Sequence, residues 1–162
     1  MPSHHRSWLI LKHAYLRAAE LQTLLDLYGN VDDIVGLPRS RLLESGLAAE
    51  KCDAIATPDE KIISAALDWL EQDRHHLVTW GQDTYPEMLA QIPGPPLALY
   101  VNGNVDVLQL PSLAIIGSRN PTQGGLRNAH DFSKHLASRG FAIVSGLAQG
   151  IDTAAHEGAL DA

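Results

Sequence analysis

The chain has 162 residues, 45% hydrophobic and 19% charged, enough for one sizeable domain or two small ones with buried cores. Nineteen acidic residues against twelve basic ones give a formal net charge of −7, which excludes the broad basic coat of a protein that holds nucleic acid along a whole face. A single cysteine, Cys52, excludes an internal disulfide, and no apolar run approaches the roughly 18 residues of a membrane span.

Residues 8–28 carry Leu9, Leu16, Ala19, Leu24, Leu27 and Tyr28 at helical spacing, which predicts one broad apolar stripe ended by Gly29-Asn30. Asp32 or Asp33 can cap the short helix that follows. Leu37-Pro38 is a second break, with Ser40 the candidate cap for a helix around Leu42-Leu43. Gly46 ends that helix, and residues 48–56 form another. Thr57-Pro58-Asp59-Glu60 then opens a longer one to about Glu71, carrying Ile62, Ile63, Ala66, Leu67 and Leu70. Residues 1–75 thus read as a small all-helical domain. From His75 the pattern changes: Leu77-Val78-Thr79-Trp80 and Leu97-Ala98-Leu99-Tyr100-Val101 read as strands, with a single helical turn from Tyr85-Pro86 to Leu89 between them. Ala114-Ile115-Ile116 reads as a buried strand, and Thr122 or the glycines after it begin a helix. Leu126, Ala129, Phe132 and Leu136 give that helix one apolar face against a sheet. Gly140 suits a left-handed cap, and Ala142-Ile143-Val144 is a second parallel strand. A last helix runs from Ile151 to about Leu160, with Asp152 or Thr153 near its start. Two strand–turn–helix units in succession predict an α/β fold with a parallel sheet, and place residues 76–162 in a second domain.

The charge is unevenly placed. Residues 1–78 hold eight basic and twelve acidic side chains, residues 79–112 only Asp83, Glu87 and Asp106, and residues 113–162 four of each sign. An anion site must therefore be local. In a parallel sheet the turns Gly117-Ser118-Arg119 and Ser145-Gly146 open on the same edge. Glycine at 117, 146 and 150 lets backbone approach a ligand, and helix starts offer unpaired N–H groups. Ser118 and Ser145 add hydroxyls, and Arg119 a guanidinium suited to bidentate phosphate binding. Together these read as a phosphate cradle, although neither the G-x-G-x-x-G fingerprint nor the phosphate-loop lysine is present. The competing reading makes the glycines plain tight-turn residues and Arg119 a solvated arginine. Asp152 and His156, four apart on one helix face, have no nucleophile in the neighbouring sequence and read as support: Asp152 caps its helix or orients the loop around Gly150. No residue is assigned to catalysis. His4-His5 and His75-His76 are adjacent pairs that cannot converge on one ion, so no metal and no cofactor are expected.

Four ordered blocks, Tyr85-Pro86-Glu87-Met88-Leu89, the run from Pro95-Pro96-Leu97 to Asn102-Gly103-Asn104, Ile115-Ile116-Gly117-Ser118-Arg119 and the run from Ser145-Gly146-Leu147 to Ala154-Ala155-His156, resemble the DNA-processing protein A family (DprA, also called Smf). The resemblance covers about residues 77–162. It implies a sterile-alpha-motif-like or helix-hairpin-helix-like domain over 1–75, followed by a truncated Rossmann-like sheet. It further implies a cytoplasmic, non-enzymatic protein that binds single-stranded DNA and loads the RecA recombinase during natural transformation, and that is a homodimer at full length. Gly117, Ser118, Arg119, Ser145, Gly146 and Gly150 are then the positions lining the DNA pocket. Members continue beyond the second helix, so the resemblance also implies an N-terminal fragment holding one wall of the site. Two alternatives stand beside it. One is a nucleotide-binding or nucleotide-hydrolysing enzyme of a related Rossmann-like family, whose Pro-Gly-Gly-x-Gly-Thr-x-x-Glu block is not in this sequence. The other is a protein-interaction role for the acidic helical domain.

Overall fold

Trp8, Leu9, Ile10 and Leu11 are four consecutive buried residues, so this turn of the first helix, α1 (Pro2–His13), is buried all round instead of presenting one stripe, while His4 near its start is exposed. The computed structural model describes the backbone of residues 2–162 and the side chains of residues 4–162. By packing, the chain divides into two units, Met1–Val105 and Asp106–Ala162.

In the first unit, the single helix expected over residues 8–28 is two. Tyr15 takes a left-handed backbone (φ +54°), and the Leu16 N–H closes onto the Leu11 carbonyl at 3.3 Å, a reversal that ends α1. Helix α2 (Ala18–Tyr28) then returns Ala18, Leu21 and Leu24 to the same core. Glu20 ties its start, accepting from the Arg17 N–H at 2.7 Å and pairing with Lys51 at 2.5 Å. Helix α3 (Val31–Val35) is capped by Asn30, which accepts from the Asp33 N–H at 2.9 Å; neither Asp32 nor Asp33 is the cap, because both already lie inside the helix. In α4 (Arg39–Glu44) Pro38 holds the cap position and Ser40 lies within the helix. Helix α5 (Ala49–Ala56) buries Cys52 and Ile55, and α6 (Glu60–Leu70) is capped by Asp59, which accepts from the Lys61 and Ile62 N–H groups.

Strand β1 (His75–Thr79) pairs antiparallel with β2 (Ala98–Asn102), Leu77 opposite Tyr100, and the short α7 (Glu87–Ala90) lies between them in sequence. Leu77, Leu97 and Ala98 enter the same hydrophobic cluster as Leu9, Leu21 and Ile63. This ladder therefore packs with the helices, and the division falls at Val105, some way past the boundary expected after residue 75.

In the second unit β3 (Ser112–Ala114) pairs in parallel with β4 (Ala142–Val144), each followed by a helix, α8 (Gln123–Ala137) and α9 (Ile151–Leu160). This is the α/β arrangement expected, with two corrections. The first strand ends at Ala114, and its residues are exposed; Ile116, expected in it, is 80% exposed. The pair has no third strand among the described residues, so β3 is covered on one edge alone. Second, α8 does not bury Phe132, which is 66% exposed; it buries Ala129 and Ser133. The reason lies in α9. A β-carbon on Gly158 would overlap the His130 carbonyl, so glycine there lets the two helix backbones touch and turns the Ala129–Ser133 face inward. Thr122 caps α8 through the Gly125 N–H at 3.1 Å. No helix among the described residues is long and apolar enough to cross a membrane.

Candidate functional site

Both turns of the second unit lie at the C-terminal ends of parallel strands, where such sheets place their binding crevices. Gly117 and Gly150 hold them together. A β-carbon on Gly117 would fall 2.7 Å from the Ile151 side chain, and one on Gly150 (φ +88°) would overlap the Ser118 carbonyl. The glycines that the sequence suggested for ligand approach thus have a packing reason first: they let the start of α9 lie against the Gly117 turn. The Ile151 N–H donates to the Ser118 carbonyl at 3.2 Å and closes that contact.

The second turn is organised from behind. Asp152 is buried, and its carboxylate accepts from the Gly146 N–H at 3.1 Å and the Ala148 N–H at 3.4 Å. Leu147 between them takes a left-handed backbone (φ +58°) and is 81% exposed. Thr153 donates its hydroxyl to the Ala148 carbonyl at 2.9 Å. Ser145 donates to the Ile115 carbonyl at 2.7 Å, stitching the end of one strand to the other. The Ser145 hydroxyl, expected to face a ligand, and the Gly146 N–H are therefore spent inside the protein. Asp152 orients the loop, and Gly150 holds the cap position of α9. His156 is part-buried, and its Nε2 has no hydrogen-bond partner among the described residues.

What stays available is narrower than the sequence suggested. Ser118 accepts from the Asn120 N–H at 3.1 Å through its oxygen, which leaves its proton free to donate outward. Arg119 is exposed and makes no ion pair among the described residues. It stands at the edge of a cleft of about 790 Å³ between the turns, α8 and α9, which also reaches Gly150. Among the described residues, the Asp152 and Thr153 N–H groups, in the first turn of α9, find no carbonyl acceptor. The cleft adds residues the sequence did not single out: Arg127 and Asp131, four apart on α8, with Thr153 and Glu157, four apart on α9. Helical spacing is the only local signal for either pair.

The family model described as DNA recombination-mediator protein A matches residues 76–162. Protein Smf of Escherichia coli (strain K12) is 39% identical over 119 residues, 74% of this chain and 32% of that protein. DNA processing protein DprA of Streptococcus pneumoniae is 42% identical over 78 residues, 48% of this chain and 27% of the relative. The X-ray structure of DNA processing protein A from Streptococcus pneumoniae aligns with a TM-score of 0.67 at 30% identity, covering 94% of this chain and 52% of that one. The chain spans about a third or less of the length of the curated relatives it matches. With over half of its residues inside one family model and an α/β architecture shared with a solved relative, the chain belongs to the DNA recombination-mediator protein A family.

Proposed function

We propose that the surface built on Gly117, Ser118 and Arg119, with Gly150 and the Asp152-held turn of Ser145 and Gly146 behind it, grips the sugar–phosphate backbone of single-stranded DNA. The observation that carries this reading is Arg119: an exposed guanidinium, unpaired among the described residues, beside a free serine proton at the strand-end edge of a parallel pair. A net charge of −7 suits such a grip only if it is local, and the balanced charge of residues 113–162 leaves it free of the acidic surplus elsewhere. Contacts to the sugar–phosphate backbone carry no sequence information of their own, so this grip by itself favours no particular base.

The protein in this reading is not an enzyme. It acts in DNA processing and recombination, as the description of the family model and the name of the Streptococcus pneumoniae relative suggest. At full length, as a cytoplasmic homodimer, it delivers the bound strand to RecA recombinase during DNA uptake and natural transformation. Fluorescence anisotropy of a labelled oligo-dT strand, titrated with the chain over a salt series, tests the grip. Affinity falls as salt rises, and Arg119→Ala weakens it about tenfold, the worth of one charge-assisted contact. Salt-independent binding, or an Arg119→Ala variant that binds as well as the parent, would sink the proposal.

A further inference from the structure

A carboxylate does not belong in a site that only holds phosphates, yet Glu157 lines the same cleft as Arg119 and Arg127. It lies across from α8 on the exposed face of α9, and its side chain makes no hydrogen bond or ion pair among the described residues. Arg127 shares the cleft and is likewise unpaired, so the two have not neutralised one another. Asp131, the other acid there, is already engaged by His130 at 3.2 Å. Leu126 and Ala154 add apolar surface. A cleft that offers guanidinium donors, one free carboxylate acceptor and an apolar patch matches a nucleotide taken whole: phosphate on the arginines, ring on the apolar patch, ring donors on the acid.

We infer that the cleft between α8 and α9 is a nucleobase subsite in which Glu157 selects bases carrying an exocyclic amino group. Cytosine presents such a donor to a carboxylate at N4. Thymine, of the same size, offers only N3–H, flanked by two carbonyl oxygens that repel a carboxylate. Glu157 thus turns repulsion of the backbone into discrimination among bases. The subsite rests on the backbone grip proposed above when the nucleotide belongs to a strand, and stands without it when the nucleotide is free.

The test compares labelled dC20 and dT20 at pH 8 with the chain and with Glu157→Ala, and repeats the comparison with dCMP and dTMP by equilibrium dialysis. Alanine at an exposed helical position keeps the helix, and circular dichroism verifies it. The ratio of dC20 to dT20 affinity should fall about fivefold in Glu157→Ala, in the range of one lost base contact. The variant should bind dT20 at least as tightly as the parent, because a negative charge has left the cleft. The same ratio in both proteins overturns the subsite, and if binding stays salt-sensitive the backbone grip survives it. Selective dCMP binding without strand binding upholds the subsite, assigns it to free nucleotides and removes the backbone grip. No binding of either strand or either mononucleotide overturns both.

Discussion

Asp152 shows how much one carboxylate can organise. It is buried, takes two N–H groups of the second turn and leaves Leu147 between them in a left-handed conformation that an L residue adopts at some cost. Replacing it with alanine strands the Gly146 and Ala148 donors. Asp152→Ala is expected to lower the stability of the second unit by about 2 kcal/mol, read as a lower urea midpoint at unchanged slope. It should also weaken strand binding although Asp152 itself touches no ligand, because the loop it holds abuts the Gly117 turn. An unchanged midpoint would mean that the turn is held by the packing of Gly150 against Ser118 alone.

Among the elements, α2 carries a pH signature. Burial by itself would raise the Glu20 carboxyl, but the Arg17 N–H, the side chains of Lys51 and Arg17 and the Lys51 charge outweigh it and hold the group down, at about 2. A carboxylate whose folded value lies below its unfolded one stabilises the fold above the unfolded value, and that contribution is lost as pH falls through the folded one. The parent should therefore melt higher than Glu20→Gln at pH 7, with the gap closing between about pH 4.5 and pH 2. A gap that persists at pH 2 would assign the effect to packing.

Elements with local punctuation were legible in the sequence. Asp59 starting α6, Thr122 starting α8 and the β-branched run of β4 follow from a few neighbouring residues. The break at Tyr15 was not, because no glycine or proline marks it and the core decides it. The choice of Asn30 over two aspartates turned on where the helix begins, which composition does not state. In the candidate site, Arg119 was legible because it stands in a Gly-Ser-Arg turn after an apolar, β-branched run. Arg127 and Glu157 were not, since only the touching of α8 and α9 at Gly158 brings them to one cleft.

At the scale of the whole chain, burial is unequal. Fully buried large side chains such as Leu9, Leu11, Leu21, Ile34 and Ile63 all belong to the first unit, whereas the second buries chiefly alanines, Ser133 and Asp152. Apolar area removed from water scales with side-chain size, so the first unit holds the larger share of the folding free energy. Native-state hydrogen exchange should show this directly, with amides of α1 and α2 opening only on global unfolding and those of β3 and β4 exchanging through lower-energy openings. Equal protection in the two units would contradict it.

The two-stranded parallel pair has one more consequence. Each of β3 and β4 spends a single edge on its partner, and the other edge is a row of backbone donors and acceptors flanked by the half-exposed Leu113 and Val144. Such an edge is satisfied equally well by water or by the same edge of another molecule. Its occupancy then depends on how many molecules share the solution.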